Sequence, residues 1–591
     1  MSRRELITKH LDLWTGAVSQ KSTRGRGSNS KVELTGVKKL RGLILELAVR
    51  GKLIEQDSGD DPASCLIAEV RNQRYALVGE RQLGPQTKLS EVINTETPYQ
   101  LPKGWEWCRL GDLAEIIRGV TYKKHQVLEQ AAENHIALLR ANNIQETITD
   151  EAAIYVPLEL VNDRQLITKG DILIAMSSGS ANLVGKAAQT NCDLQATFGA
   201  FCGAVRPLKQ KLSSYLGLYT TTPLYRDQAQ AAGKGIGINN LNKKALDNML
   251  VPVPPEKEQH RIVQKVDELM ALCDRLARQS GDQLEAHETL VDTLLGTLNR
   301  SEKTTELADN WARLAAHFDT LFTTEQSIEK LKQTILQLAV MGLLVEQKAG
   351  DGSASALLEN LKLQKEQLVQ KRQVKISNSL QILTDDTHIL NLPTSWCSTT
   401  VGTIFQLQNG YAFKSGWFKS SGIKLVRNVN VSHGFIDWKE AVSLPEDLAQ
   451  EFERFMLAEG DVVISLDRPL INTGLKYAVI REKDTPCLLL QRVARFQAFG
   501  NTVDPRYLER WLNSNMFTDA INPGRSNGVP HISTKQIEAI PFPLPPAKEQ
   551  TRIVQKVDEL MALCDRLKER LNQTSKTRCQ LAEAVVTGAL N

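Results

Sequence analysis

Two glycine-rich stretches carry residue types that could cradle a phosphate group. A phosphate-binding loop needs the pattern GxxxxGK followed by Ser or Thr, in which backbone amides and a lysine converge on the phosphates. GSANLVGKA (Gly179 to Ala187) has five residues between its glycines, and Ala187 stands where the hydroxyl belongs. GKGIGINN (Gly233 to Asn240) lacks the third glycine of GxGxxG and follows no strong strand pattern. Neither stretch predicts a nucleotide site; the second is typical of a turn, and a loop over some ligand stays open.

The other candidates for catalysis also lack a required member. INPG (Ile521 to Gly524) begins like the NPP motif of amino-methyltransferases and departs from it at Gly524. Ser177 and Ser178 lack the flanking glycines of a GxSxG nucleophile elbow. The nine histidines form neither an HExxH pattern nor a Cys/His cluster, so we expect no zinc site. The sequence therefore predicts a protein with no catalytic residues and no metal ligands of its own.

Length and composition are typical of a soluble protein with several domains. The chain has 591 residues, of which 41% are hydrophobic and 24% charged. No apolar run approaches the roughly 20 residues of a membrane helix, and the N-terminus lacks an apolar signal core. Nine cysteines without a CxxC pair indicate reduced thiols in a cytoplasm. The net charge of +4 does not indicate nucleic-acid binding, and we interpret the locally basic residues 1–50 as a flexible, solvated segment.

An internal repeat organises the chain. KEQHRIVQKVDELMALCDRL (Lys257 to Leu276) returns 291 residues later as KEQTRIVQKVDELMALCDRL (Lys548 to Leu567), with one difference in twenty positions. Apolar residues at steps of 4, 3, 4 and 3 form a coiled-coil seam on one helix face. Paired prolines just before each copy suit the first turn of a helix. The pattern predicts a helix from Glu256 to about Asn299, and its copy from residue 547 onward.

The same offset relates other parts of the chain. LRGLILELAVRGKLIEQ (Leu40 to Gln56) matches LKQTILQLAVMGLLVEQ (Leu331 to Gln347), and we expect these helices to end near Gly51 and Gly342. We expect a linker around residues 301–309, with helix resuming from residue 311. LPKGW at 101–105 matches LPTSW at 392–396, and short β-like runs follow each of them. These matches predict two α/β domains, at about 101–255 and 392–546.

The helix copies and the α/β domains differ in how far they have diverged. The helices agree almost residue for residue, whereas the domains share only landmarks and length. If one duplication produced both halves, the helices were held to one task and the domains were free to perform two. Gene conversion confined to the helix would leave the same pattern, so its origin stays open.

The order of these motifs resembles that of the DNA-specificity subunits of Type I restriction–modification systems, in their longer-chain subgroup. LPKGW, VPVPPEKEQHRIV and LAVRGKL, with their second copies, carry the resemblance, which covers nearly the whole chain. It implies an α+β protein in which two α/β target-recognition domains are separated by long antiparallel coiled-coil helices, with a pseudo-twofold repeat at offset 291. The expected segments are 1–100 (basic segment and helical repeat), 101–255 (first target-recognition domain), 256–300 (central spacer helix), 301–391 (linker and second helical repeat), 392–546 (second target-recognition domain) and 547–591 (C-terminal spacer helix).

The resemblance also implies partners. Each target-recognition domain would read one half of a bipartite, asymmetric site in double-stranded DNA, and the repeated helices would dock two adenine methyltransferase subunits. A motor–nuclease subunit would join for cleavage. S-adenosylmethionine would lie on the methyltransferase, and ATP with Mg on the motor–nuclease, so that this chain binds no cofactor. Such a complex works in a bacterial or archaeal cytoplasm, without a membrane.

Candidate contact residues follow from side-chain chemistry and position. Arg, Lys, Asn, Gln and Ser reach base edges in the major groove, and glycine-adjacent or strand-end positions expose them. In the first domain the DNA-binding candidates are Tyr122, Lys123, Lys124, Arg140, Asn142, Asn143, Ser177, Asn239 and Lys243. In the second they are Asn409, Tyr411, Phe413, Lys414, Arg427, Asn428, Asn430, Arg525 and Asn527, of which Tyr411 and Phe413 fit a core equally well. For partner docking, the repeated outward positions are Gln264, Lys265, Glu268, Gln555, Lys556 and Glu559.

Two other classes of function remain open. One is an enzyme, a fused DNA methyltransferase or nuclease with degenerate motifs. The other is a coiled-coil scaffold without a role on DNA. The residues favour the non-catalytic DNA-recognition subunit over both.

Overall fold

The computed structural model describes residues 10–21, 31–83, 89–178, 180, 183–233, 239–301, 304–370, 392–500, 502–521 and 531–590. The chain forms two compact units. Among the described residues, the first unit contains those up to Asp282 together with Ser575 to Leu590, and the second contains Gln283 to Thr574.

Each unit contains both helices and short strands. In chain order, the helices that begin in the first unit are α1 (Leu11–Gly16), α2 (Thr35–Val49), α3 (Ala63–Gly79), α4 (Leu110–Leu113), α5 (Ser213–Thr221), α6 (Pro223–Gly233), α7 (Lys243–Asp247) and α8 (Glu256–Asn299). Those that begin in the second unit are α9 (Thr304–Ala316), α10 (Phe318–Leu321), α11 (Glu325–Val340), α12 (Ala354–Gln370), α13 (Val401–Ile404), α14 (Glu446–Ala449), α15 (Pro505–Leu512), α16 (Asn515–Ala520), α17 (Thr534–Glu538) and α18 (Ala547–Leu590).

The strands are short, and most are bounded by glycine or polar turns. The first unit has β1 (Ser19–Lys21), β2 (Lys31–Glu33), β3 (Glu106–Arg109), β4 (Ala114–Arg118), β5 (His135–Leu139), β6 (Ile154–Pro157), β7 (Ile172–Ala175), β8 (Ser177–Ser178), β9 (Ala187–Gln189), β10 (Ala196–Phe198), β11 (Cys202–Pro207), β12 (Asn239–Asn240) and β13 (Leu250–Val253). The second has β14 (Cys397–Thr400), β15 (Phe405–Asn409), β16 (Ile423–Val426), β17 (His433–Gly434), β18 (Ser443–Leu444), β19 (Met456–Leu457), β20 (Val462–Ser465), β21 (Leu470–Ile471), β22 (Gly474–Leu475), β23 (Tyr477–Val479), β24 (Cys487–Leu489), β25 (Val493–Ala498) and β26 (Pro541–Leu544).

The two α/β domains share one sheet topology. In the first, an antiparallel sheet has the order β4-β11-β7-β9, and a second sheet has the order β10-β5-β6 with β10 and β5 parallel. In the second, the orders β15-β25-β20-β23 and β24-β16-β18 repeat this arrangement, extended by β17 and β19. The parallel pair β16 and β24 corresponds to β5 and β10. The diverged sequences therefore fold on one frame, and the mixed helix-and-sheet class agrees with the prediction.

Each domain closes on itself before the chain enters a long helix. β3 pairs with β13, so that Glu106 lies opposite Val253, and β14 pairs with β26, so that Cys397 lies opposite Leu544. This pairing sets the LPxxW turn beside the proline track that leads into α8 or α18. Prolines are accepted in β13 and β26 because each strand pairs on one side only.

The long helices have the bounds that their sequence predicts. α8 runs from Glu256 to Asn299 and α18 from Ala547 to Leu590. The seam residues Ile262, Val266 and Cys273 are buried in the core of the first unit, and their copies are buried in the core of the second. The first part of each helix belongs to one unit and its last part to the other. The coiled-coil pairing itself stays a prediction.

The shorter repeated helices end where glycine was expected to end them. α2 stops at Val49 and α11 at Val340, and Gly51 and Gly342 follow with φ of +62° and +73°. Lys52 N donates to Leu47 O across the first of these ends, which is a Schellman-type closure. Only glycine adopts this left-handed backbone without strain.

Two expectations need correction. The linker is shorter than predicted, because α9 begins at Thr304, seven residues before the helix signal at Trp311. The basic segment is partly folded, because α1 buries Trp14 completely and β1 pairs with β2. The polar composition of this segment hides the signal of its single tryptophan, Trp14. Most of the KSTRGRGSNSK stretch, residues 22–30, lies outside the described residues.

Candidate nucleic-acid interface

A repeated junction joins each α/β domain to its long helix. Trp105, next to β3, donates its indole Nε1–H to Glu258 Oε2 in the first turn of α8, at 3.0 Å. Trp396 donates in the same way to Glu549 Oε1 in α18, at 2.9 Å. Both carboxylates are buried, and burial raises the pKa of Glu258 and of Glu549. The tryptophan of LPxxW and the glutamate of KEQ therefore form one contact, which occurs in both units.

The end of the preceding repeated helix packs into the same junction. A Cβ on Gly51 would lie 2.5 Å from Pro102 Cγ, and one on Gly342 would lie 2.6 Å from Pro393 Cγ. Gly51 and Gly342 thus allow the helix end to touch the LPxxW turn. Ser395, which replaces Gly104, donates to Gln347 Oε1 at 2.7 Å. The departure from the first copy is accommodated without disturbing the contact.

An ion pair secures each junction at its edge. Arg261 of α8 pairs with Asp60, and Arg552 of α18 pairs with Asp351. Hydrogen bonds from these arginines lower the pKa of Asp60 and of Asp351. Sequence reasoning missed both acids, although they stand at the common offset of 291. Three motifs that carry the repeat therefore have a structural task, which is to set each domain on its helix.

Polar candidates of the first domain gather where its strands end. β4 and β7 end on this side, and the antiparallel β11 begins there. Tyr122 follows β4 and lies next to Gly199, after β10. Ser177 follows β7 and donates through Oγ to Asn240 Oδ1 at 2.6 Å. We call the following residues the first strand-end cluster: Tyr122, Arg140, Asn142, Ser177, Phe201 and Asn240.

The side chain of Asn143 does not belong to this cluster. It is fully buried, accepting from Arg140 N at 2.9 Å and donating to Glu151 O at 2.8 Å. Arg140 is exposed, although its Nη2 donates to Ala152 O at 3.1 Å. The prediction that Asn143 contacts DNA is corrected, because its amide holds the loop after β5.

The second domain has a corresponding cluster. Asn409 ends β15, and its Nδ2 lies 3.5 Å from Thr534 Oγ1. Tyr411 is partly exposed, and Arg427 follows β16. Lys414 is exposed, with Nζ 5.5 Å from the centre of the Trp417 ring. We call the following residues the second strand-end cluster: Asn409, Tyr411, Lys414, Arg427, Asn428, Asp467, Arg492 and His531.

Two candidates of the second domain are structural. Asn430 is buried, accepts from Arg427 N at 3.3 Å and donates to Asp437 O at 3.0 Å, as Asn143 does in the first domain. Phe413 is 5% exposed and packs in an aromatic group with Phe452. Both predictions of DNA contact are corrected. For Phe413, burial in the core was the alternative that the sequence left open, and the side chain is buried.

The remaining DNA-binding candidates are exposed or have side chains outside the described part of the structure. Lys123 and Lys124 are exposed after β4, and Lys243 is exposed as the first residue of α7. The backbone of Asn239 pairs with Ser178, while its side chain lies outside the described part of the structure. Arg525 and Asn527 fall within residues 522–530, which also lie outside it.

Five residues of the two clusters escaped sequence reasoning. Phe201 is 70% exposed, although an aromatic side chain is normally assigned to a core. Asn240 lies in the two-residue strand β12, and Asp467, Arg492 and His531 lie outside the named strands. They share a position, because each is joined by backbone pairing or by sequence to the residues just after β7 or β20.

The predicted docking residues are exposed in matching form. Lys265 pairs with Glu268 at 2.7 Å on α8, and Lys556 pairs with Glu559 at 3.0 Å on α18. Gln264 and Gln555 are exposed next to them. The structure thus keeps the repeated side chains on an accessible helix face, and their role in docking stays a prediction.

Among the described residues, no group of three or more His, Cys, Asp or Glu side chains could hold a metal ion. None of the helices described is long and apolar enough to cross a bilayer.

The sequence matches a known family over most of its length. The family described as the Type I restriction modification DNA specificity domain matches residues 102–286 and 393–575. The chain therefore belongs to the DNA-specificity subunits of Type I restriction–modification systems. The two matches coincide with the two α/β domains and the first parts of their long helices.

Individual relatives agree with this assignment. The chain is 42% identical to the Type I restriction enzyme EcoAI specificity subunit of Escherichia coli and 32% identical to the EcoEI specificity subunit, with both chains covered completely in each case. The HsdS subunit from Thermoanaerobacter tengcongensis is a solved structure of 17% identity and TM-score 0.40, covering 84% of this chain and 99% of its own.

Proposed function

We propose that this subunit reads a bipartite, asymmetric site in double-stranded DNA, with one half-site for each α/β domain. The observation that carries the proposal is the contrast within the repeat. Both domains are set on their helices by the same Trp–Glu contact, yet they present different side chains at matched positions such as Ser177–Asn240 and Asp467–His531. Two domains that share a backbone fold but differ in side chains at the proposed DNA-contacting surface suit two half-sites of different sequence.

The identical exposed faces of α8 and α18 suit two identical partners. We propose that they dock two adenine methyltransferase subunits, and that a motor–nuclease subunit joins this assembly for cleavage. Lys265 and Lys556 would lie in equivalent contacts, because each is followed by its glutamate one helical turn later. The complex would work in the cytoplasm of a bacterium or archaeon.

Catalysis is proposed to lie entirely on the partners. S-adenosylmethionine would be bound by the methyltransferase, and ATP and Mg by the motor–nuclease. In this proposal the chain contributes DNA recognition and assembly, and is not an enzyme. Methyl transfer to DNA by the purified chain without its partner would contradict this and favour a fused enzyme.

Domain exchange tests the division of the site. Replacing residues 101–255 by the corresponding domain of a relative is expected to change one half-site and leave the other unchanged. The reconstituted complex with its methyltransferase would be given a DNA library, and the methylated adenines would be sequenced. A change in both half-sites would contradict independent reading. Absence of salt-dependent, sequence-selective DNA retention by the complex would instead favour the scaffold alternative.

A further inference from the structure

Two sets of three residues occupy equivalent positions in the two domains. In the first, Met176 N donates to Phe201 O at 2.8 Å and Leu241 N donates to Met176 O at 2.7 Å. In the second, Leu466 N donates to Arg492 O and Ile532 N donates to Leu466 O, both at 2.9 Å. The residue after Met176 therefore corresponds to the residue after Leu466, and the residue before Leu241 to the residue before Ile532.

These backbone bonds define the matched residues. The pairs are Ser177 with Asp467, Phe201 with Arg492, and Asn240 with His531. A side-chain bond joins the same two positions in each domain: Ser177 to Asn240 at 2.6 Å, and Asp467 to His531 at 2.7 Å. The backbone frame is shared, while all three side chains differ in chemistry.

The first set combines an amide with an exposed ring. The Ser177 hydroxyl donates to Asn240 Oδ1 and holds the amide group at the surface. Phe201, whose carbonyl oxygen accepts from Ser177 N at 3.1 Å, has 70% of its surface exposed. An aromatic side chain left this exposed loses the burial that normally stabilises a fold, so its position suits contact with a partner.

The second set holds an arginine. Arg492 Nη1 lies 3.4 Å from Asp467 Oδ1, and 55% of the arginine side chain is exposed. Asp467 orients the guanidinium through one nitrogen, and its other donors stay exposed. Arg492 has a φ of +72°, in the left-handed region that side chains other than glycine rarely adopt. Such backbone strain concentrates at functional sites.

We infer that these matched positions read base edges, and that they assign a guanine to the second half-site and an A·T pair to the first. The inference rests on the proposed function. Arginine bonds bidentately to guanine O6 and N7, asparagine bonds bidentately to adenine, and an apolar side chain contacts the thymine methyl group. Arg492 reads the guanine. Asn240 and Phe201 read the A·T pair.

Selection from a DNA library tests the inference, using the complete complex with its methyltransferase. Arg492→Lys keeps the charge but loses the bidentate fork. We expect the preference for one guanine in the second half-site to fall about tenfold or more, with the first half-site unchanged. Phe201→Ala is expected to weaken preference at an A·T position of the first half-site alone. In each variant, unchanged sequence selection at the other half-site shows that the complex is folded.

Arg506→Lys is the matched control. Arg506 is 57% exposed and pairs with Asp504 at 3.3 Å, which closely resembles Arg492 with Asp467, but it starts α15 near the junction. We expect this control to leave base preference unchanged. In a second variant, Arg492→Gln, a salt dependence of binding that falls by one phosphate contact, with unchanged base preference, would overturn the inference in favour of a backbone contact.

Two other outcomes separate the inference from the function on which it rests. A second half-site without a guanine requirement in the unmodified complex would overturn the inference alone. Absence of sequence selection in either half-site would overturn the proposed function and the inference together.

Discussion

At the junction with its long helix, each α/β domain uses the same Trp–Glu pair, whereas at three matched positions of its strand-end cluster it uses different side chains. Trp105 and Trp396 both donate to a buried glutamate. At the clusters, Phe201 stands in one domain where Arg492 stands in the other. The Trp–Glu contact is the same in both junctions, whereas the side chains differ at three matched strand-end positions, although Arg140 and Arg427 are alike.

The physical difference is burial. The junction packs a glycine, a proline and a tryptophan against a buried carboxylate, so that a substitution leaves a clash or an unpaired polar atom. The strand-end side chains are largely exposed, and an exposed position can be replaced at little cost in stability. Constancy thus marks the frame, and variation marks the surface for which we propose contact with DNA.

The strongest way to break the frame is to enlarge a shared glycine. A Cβ on Gly119 would lie 2.2 Å from Gly199 O, and one on Gly410 would lie 2.2 Å from Leu490 O. We expect Gly119→Ala and Gly410→Ala each to lower the free energy of unfolding by about 1–3 kcal/mol or more. Hydrogen exchange should locate each loss in its own unit. Gly42→Ala is the control, because no atom lies within 4 Å of its Cβ and α2 should be stabilised slightly.

The second prediction tests whether the two junctions are energetically equal. Trp105→Phe and Trp396→Phe each remove one indole donor from a buried carboxylate. We expect each to cost about 1–3 kcal/mol, with similar values in both units, measured by denaturant unfolding and hydrogen exchange. If only one of the two substitutions lowered the free energy of unfolding, the two junctions would share a geometry but differ in their contribution to stability.

The third prediction concerns pH. Burial raises the pKa of Glu258 in the folded chain, so its contribution to stability is present below the unfolded pKa and is lost as pH rises through the folded value. Glu258→Gln keeps the acceptor for Trp105 and removes the charge. We expect the variant to be more stable than the parent at neutral pH and less dependent on pH in the acid range. A variant that is less stable at neutral pH would mean that the ionised carboxylate is required.

Part of this comparison was readable from the sequence. Helical periodicity with flanking prolines and glycines predicts α8, α18 and the ends of α2 and α11, because these signals are local. The Trp105–Glu258 contact was not predicted, because 153 residues separate the partners and only the pairing of β3 with β13 brings them together.

The sites were harder to predict than the elements. Several of the candidates chosen after strand ends lie together in the two strand-end clusters, and their contact with DNA stays a prediction. Sequence does not say whether an asparagine at such a position turns outward or bonds to its own loop, and Asn143 and Asn430 take the second course. Phe201 was not among the candidates because an aromatic side chain is normally assigned to a core, although here it is 70% exposed.

The smallest effect on stability, and the sharpest on assembly, is expected at the repeated lysines. Lys265→Glu with Lys556→Glu replaces two exposed ion pairs, each of which contributes little to folding. We expect the free energy of unfolding to change by less than about 0.5 kcal/mol, while binding of the methyltransferase subunit falls. Sizing chromatography of the mixed proteins measures the assembly.

Arg278→Glu is the control. Arg278 is exposed on α8 but its counterpart on α18 is Glu569, so a docking face common to both helices does not require it. If the lysine double variant assembled as the parent does, the repeated lysines would not be part of a docking face. Packing along the seam alone would then account for the identity of the two helices.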